Sequence, residues 1–187
     1  TVVAFYNKGT SIEVQNTWSK RLKFYYPSLK LVPLLSEEAK FATVALLWKA
    51  PLNYLNKMTR IKGLISLGQG VDHILNGNLI PENIPVVRIV DPYMAKSMSH
   101  WVLLSILNII RDTYGYFSQE NTKIYKPRDE KNFLSLKIGV YGIGAIGSVV
   151  AKDLSYMGFN VQGWSRTKKK IKTISCLSGN EGFNELI

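Results

Sequence analysis

Residues Lys137 to Leu154 read KIGVYGIGAIGSVVAKDL, an apolar run, a cluster of glycines and then an amphipathic stretch. The apolar run predicts a buried strand over Lys137–Tyr141, and the amphipathic one predicts a helix over Ala145–Met157. Gly142, Gly144 and Gly147 stand at the join in the spacing G-x-G-x-x-G. The first glycine permits a tight turn, the second lets the backbone approach a pyrophosphate, and the third brings helix close to strand. Free N–H groups and the positive end of the helix dipole then attract phosphate. Glycines at this spacing also serve ordinary turns. The strand before and the helix after make the pattern a dinucleotide-binding expectation, with Ala145 and Ile146 completing the cofactor loop.

A second strand, expected over Asn160–Gly163, leads to the residues that choose between dinucleotides. An NAD site places Asp or Glu at this strand end to accept the ribose 2′-hydroxyl. Here the end reads Trp164, Ser165, Arg166, Thr167. The Ser165 hydroxyl and the Arg166 guanidinium suit a 2′-phosphate, the latter in bidentate fashion, with Lys168, Lys169, Lys170 and Lys172 just beyond. The expectation is NADP(H) over NAD(H), bound by Trp164, Ser165 and Arg166. The alternative for the same residues is an exposed basic turn.

Upstream, short β-branched runs alternate with segments of helical period. Strands are expected at Val2–Phe5, Leu29–Val32, Thr43–Leu47, Leu64–Leu67 and Val86–Ile89. Helices are expected through Ser11–Phe24, near Pro51–Lys57 and from about Val71. Such alternation points to a parallel sheet covered on both faces, an α/β fold. A long helical pattern at Pro92–Arg111 crosses into a second unit, followed by a helix through Tyr116–Tyr125 and a polar loop, KPRDEKN, closed by Phe133 and Leu134. After the glycine unit a short strand is expected at Thr173–Ser175. The final GFNELI reads as the first turns of a helix, so the chain is expected to be the front part of a longer protein, its second sheet exposing an unpaired edge.

Composition narrows the classes. The 187 residues are 46% hydrophobic and 20% charged, ordinary for a globular protein. The densest apolar run, Trp101–Ile110, is about half the length a bilayer requires, so no membrane association is expected. No signal peptide is visible, which makes the cytoplasm the default location. The net charge of +11 raises nucleic acid as a partner, but the basic residues are dispersed apart from the cluster at 166–172, and none is expected. The single cysteine, Cys176, reads as a small, partly buried residue. No metal site is expected.

With these residues in place the chain resembles the D-isomer-specific 2-hydroxyacid dehydrogenases, in particular their glyoxylate/hydroxypyruvate reductase A branch. The likeness is carried by VALLWKAP at Val44–Pro51, LISLGQGVDHIL at Leu64–Leu75, VVRIVDPYMAKSMSHWVLL at Val86–Leu104 and IGVYGIGAIGSVVAKDLSYMGFNVQGWSR at Ile138–Arg166. It implies a flavodoxin/Rossmann-like substrate domain over 1–95 and the first part of a Rossmann NAD(P)-binding domain over 96–187, with the active site in the cleft between such domains. It implies NADPH-dependent reduction of a small 2-oxo acid. It implies that Gly68, Gln69, Gly70 and Val71 offer backbone amides to the substrate carboxylate, and that Trp48 and Lys49 look toward the substrate; a core aromatic at a strand end is the other reading of Trp48.

The family's catalytic Arg, His and Glu come from a later part of the nucleotide domain, so no catalytic residue is expected in this chain and it is expected to be inactive alone. Neither His73 nor His100 takes that role. His73 reads as a helix-start or surface residue, and His100 stands where the family commonly has Glu. Tyr125 replaces a frequent Trp. The resemblance also implies a homodimer through the long helix. The alternative is a dinucleotide-binding remnant, or a partner-binding fragment, that catalyses nothing.

Overall fold

The computed structural model of the chain describes residues 1–76, 80, 83–129, 132 and 135–186. It divides into two compact units, Thr1–Val90 and Asp91–Ile187.

The first unit is a parallel sheet ordered β2-β1-β3-β4-β5, built from β1 (Val2–Asn7), β2 (Lys30–Pro33), β3 (Val44–Trp48), β4 (Gly63–Ser66) and β5 (Val86–Arg88). Successive strand residues face opposite sides, and both sides are apolar. Ala4, Val32, Ala45, Leu47 and Leu64 form one core with Ile74. Val3, Phe5 and Leu46 form the other, packed against Trp18 and Leu22 of α1 (Ile12–Tyr25). Helix α1 begins where the sequence predicts, because the Ser11 hydroxyl accepts from the Val14 amide. The connections after β2 and β3 are short 3₁₀ turns, Glu37–Phe41 and Leu52–Lys57. The helix expected from Val71 is a single turn, α2 (Asp72–Leu75). Since all strands run the same way, the ends of β3, β4 and β5 lie side by side, with Leu47 paired to Ser66 and Ser66 to Arg88. In open parallel sheets this carboxyl edge is where ligands bind.

The second unit starts with α3 (Pro92–Ile110), capped by Asp91, whose carboxylate accepts from the Tyr93 amide at 2.9 Å. Helix α4 (Thr113–Asn121) follows at once, because Asp112 turns the chain through the left-handed region at φ 46°. That places α4 three residues earlier than the expected Tyr116–Tyr125. Phe133 and Leu134, expected to close the next loop, lie outside the described residues.

A parallel sheet ordered β6-β7-β8 comes next, from β6 (Lys137–Tyr141), β7 (Asn160–Ser165) and β8 (Ser175–Ser178). Strand β6 has the expected bounds. Helix α5 (Gly147–Tyr156) starts two residues late, since the turn of the glycine loop occupies Ala145 and Ile146. The third strand is Ser175–Ser178 rather than Thr173–Ser175, because its register is set by pairing with Gln162–Ser165 of β7 and an Ile171–Ile174 bridge takes up the preceding residues. Helix α6 (Gly179–Glu185) completes the unit. Ile143, Val150, Ala151, Leu154, Phe159, Val161 and Ile174 form its core. Among the described residues no helix is long and apolar enough to cross a membrane.

Helices α3 and α5 are joined by charge as well as by packing. Lys96 grips both oxygens of the Asp153 carboxylate at 2.8 Å, and the buried Ser99 hydroxyl donates to it at 2.6 Å. Burial pushes this carboxyl's pKa up, but the Lys96 and Ser99 hydrogen bonds outweigh it and hold the group below the usual carboxylate value.

Candidate functional site

Each unit carries a glycine loop at the carboxyl edge of its sheet. In the first, Ser66 ends β4 fully buried, and a buried hydroxyl needs partners. It has three: its oxygen accepts from the Gly68 amide at 3.3 Å, it donates to the Gly70 carbonyl at 2.7 Å, and it meets His73 Nε2 at 3.1 Å. The loop is thus folded around one hydroxyl. It leaves the amides of Gln69, Gly70 and Val71 with no acceptor among the described residues, a run of donors of the kind that binds anions. The Gln69 side-chain nitrogen is also buried with no partner among the described residues, while the Gln69 carbonyl accepts from Arg88 at the end of β5 at 3.2 Å.

Trp48 and Lys49 stand beside this loop. The Trp48 ring covers Gly68 so closely that a Cβ there would collide with it, which is why this position is glycine. The same ring meets His73 edge-on with centroids 4.7 Å apart. Lys49 is left-handed at φ 49°, a strained conformation for a residue with a side chain, and its amide donates to His73 Nδ1 at 3.2 Å. Its ammonium is exposed, 5.8 Å from the Trp48 ring centroid. Trp48, Lys49, Gly68, Gln69, Gly70 and Val71 are therefore neighbours, although the chain separates them into two stretches.

The second loop is held by close packing instead. Gly142, at φ 99°, turns the chain at the end of β6, and its amide and that of Ile143 both donate to the Trp164 carbonyl, at 2.8 and 3.0 Å. A Cβ at Gly147 would collide with the Gly142 carbonyl, so the first turn of α5 lies directly on the loop. A Cβ at Gly144 would meet nothing, and the amides of Gly144 and Ala145 have no acceptor among the described residues. Ile146 begins the first turn of α5. This is the arrangement a pyrophosphate needs: one glycine packed, one facing open space, and amides unspent. The residues fit a dinucleotide.

Residues near the end of β7 are placed unevenly. Arg166 is exposed. Ser165 is buried, with its hydroxyl donating to the Thr167 carbonyl at 2.8 Å, so its oxygen remains only as an acceptor for a ligand donor. The Trp164 indole donates to the Gly179 carbonyl at 2.8 Å and its ring packs against Tyr141 and Phe183, tying β7 to α6. Sequence reasoning placed Lys169 in a basic cluster and missed its reach: its ammonium donates to the Ile143 carbonyl of the glycine loop at 2.9 Å. It also missed Ser66, whose signal was a polar residue in an apolar strand, and it read His73 as a helix-start or surface residue where the structure makes it a half-buried tie. His100 is exposed.

Residues 102–186 match the profile of the NAD binding domain of D-isomer specific 2-hydroxyacid dehydrogenases. The chain is 30% identical over 169 residues to glyoxylate/hydroxypyruvate reductase A of Yersinia enterocolitica, covering 88% of this chain and 54% of that protein. The chain belongs to the D-isomer specific 2-hydroxyacid dehydrogenase family. It spans about half the length of the curated relatives of that oxidoreductase family that it matches. A family member from Xanthobacter autotrophicus, solved in complex with NADPH and MES, superposes with a TM-score of 0.85 at 27% identity, covering 99% of this chain and 59% of that one. The NADPH-dependent glyoxylate/hydroxypyruvate reductase of Sinorhizobium meliloti, in complex with NADP and sulfate, does so with a TM-score of 0.84 at 25% identity, covering all of this chain and 58% of that one.

Proposed function

We propose that this family member serves the NADPH-dependent reduction of a small 2-oxo acid, of glyoxylate or hydroxypyruvate type, to the 2-hydroxy acid. The observation that carries the reading is the pair of strand-end glycine loops with unspent amides, one on each sheet. In this reading Gln69, Gly70 and Val71 hold the substrate carboxylate through their amides, with Lys49 adding charge and Trp48 walling the site. Gly142, Gly144, Ala145, Ile146 and Gly147 hold the cofactor's pyrophosphate, and Arg166 its 2′-phosphate. The cofactor, when bound, supplies the hydride. The resemblance assigns proton transfer and the second carboxylate clamp to a His, a Glu and an Arg that have no counterpart among these residues. The 187-residue chain is accordingly expected to bind without turning over. The exposed Trp101 and Leu104 of α3 are proposed as part of a homodimer surface.

Fluorescence titration with NADPH and NADH tests the cofactor half. NADPH is expected to bind at least about tenfold tighter, a preference worth about 1.4 kcal/mol, and Arg166→Gln is expected to remove it. Equal affinities in the wild type would overturn the NADPH preference. Binding of neither would overturn the dinucleotide site. The second reading is a dinucleotide-binding remnant that catalyses nothing. It is separated from the first by oxalate, a 2-oxo-acid analogue, which a remnant without a working carboxylate loop does not bind.

A further inference from the structure

The carboxylate loop and the Trp48–Lys49 turn belong to different strands, and one side chain joins them. His73 Nδ1 accepts from the Lys49 amide at 3.2 Å, and a nitrogen that accepts from an N–H carries no proton. The proton of the neutral ring is therefore on Nε2, which faces Ser66 Oγ at 3.1 Å. The Ser66 hydroxyl donates a hydrogen bond to the Gly70 carbonyl and accepts one from the Gly68 amide. Every bond in this chain has a donor and an acceptor only for the neutral Nε2–H tautomer.

We infer that His73 is the positioning residue of this site: its neutral imidazole holds Lys49 in the left-handed conformation and braces the glycine loop through Ser66, so the loop's order depends on one proton. A second proton, on Nδ1, would set a donor against the Lys49 amide. Lys49 would then lose what holds it at φ 49°. Trp48, packed on both Gly68 and the imidazole, would lose its seat with it.

The charges around the ring agree. Burial lowers the His73 pKa, the Asp72 carboxylate raises it, Lys49 lowers it and the Gly70 carbonyl raises it, and the balance is below the ordinary value. Arg88 is tied to the Gln69 carbonyl of the same loop. A folded value below the unfolded one means that the stability from the neutral ring is fully present above the ordinary histidine range and is lost as pH falls toward the folded value.

The inference rests on the carboxylate-loop reading above only for its effect on binding. Its sign is distinctive, because a positive charge gained beside the loop would by itself tighten anion binding, whereas release of Lys49 weakens it. The test follows oxalate binding to the whole 187-residue chain from about pH 8 to about pH 5.5, alongside NMR of the two histidine rings and the Lys49 amide. His100 serves as the exposed control. Expected are an Nε2–H tautomer for His73 at neutral pH, a Lys49 amide shift that titrates with it, and oxalate affinity falling about tenfold as it protonates. His73→Asn, whose side-chain oxygen can replace Nδ1 as acceptor, is expected to bind within about threefold of the wild type and without pH dependence, while His73→Leu binds about tenfold more weakly at every pH. Oxalate binding that tightens or stays constant while His73 protonates would overturn the inference. If oxalate does not bind even at pH 8, the carboxylate-loop reading fails, and the Lys49 amide decides the tie alone: a resonance that ignores His73 protonation sinks it, and one that follows it supports it.

Discussion

The two glycine loops of this chain reach a similar end by different means. Around Gly68 to Val71 the backbone is held from below by side chains, Ser66 and His73, and from the side by the Trp48 ring. Around Gly142 to Gly147 it is held chiefly by backbone lying on backbone, with the Trp164 carbonyl receiving two amides. Side-chain networks can titrate and can be remodelled one residue at a time. Close backbone packing can do neither, because its only variable is whether a Cβ is present. The first loop is thus open to tuning, and the second, apart from the Lys169 ammonium on the Ile143 carbonyl, is close to all or none.

The largest effect is expected at Gly147. Alanine there would collide with the Gly142 carbonyl, and neither backbone segment can step aside, so chemical denaturation should show a loss of about 3 kcal/mol in the second unit, with NADPH binding lost as well. A Gly147→Ala chain of unchanged stability would break the contrast drawn above.

A smaller effect is expected at Gly68, where the obstacle is a side chain. Gly68→Ala is expected to cost about 1–2 kcal/mol by the same measurement, and the double variant Gly68→Ala, Trp48→Leu should recover part of it because the ring in the way is gone. Strict additivity of the two changes would mean that Trp48 is not what excludes a Cβ at this position.

The smallest change in stability is expected at Gly144, where a Cβ would meet open space. Gly144→Ala should leave the melting of the free chain within about 0.5 kcal/mol of the wild type, yet weaken NADPH about tenfold, since the methyl occupies the path of the pyrophosphate. Unchanged affinity would move the phosphates away from this residue.

What could be read from the sequence was what local order determines. Strand β6, the glycine spacing and helix α5 follow one another along the chain, so their periodicities and their loop were visible together. The capped start of α1 at Ser11 was visible for the same reason. Strand β8 was misplaced because nothing between 171 and 178 says which residues β7 will select, and that register is a long-range fact. The tie from His73 to Lys49 spans 24 positions, and no pattern in either stretch announces it. Trp164 and Ser165 were read by their place at a strand end, and the structure shows that their polar atoms also serve Gly179 and Thr167. Arg166, exposed beside them, keeps the character its chemistry suggested.

The Asp153 carboxylate, gripped by Lys96 and Ser99, has a consequence for how the second unit comes apart. Helix α3 lies outside the β6-α5-β7 unit in sequence, yet its first turns are fastened to the middle of α5 by a charge pair and a buried hydroxyl. The two helices are therefore expected to open together, with amide hydrogen exchange protecting the start of α3 alongside the middle of α5. Acid removes this part of the tie and leaves the apolar packing: the contribution is whole above the ordinary carboxylate range and disappears as pH falls through the lowered value of Asp153.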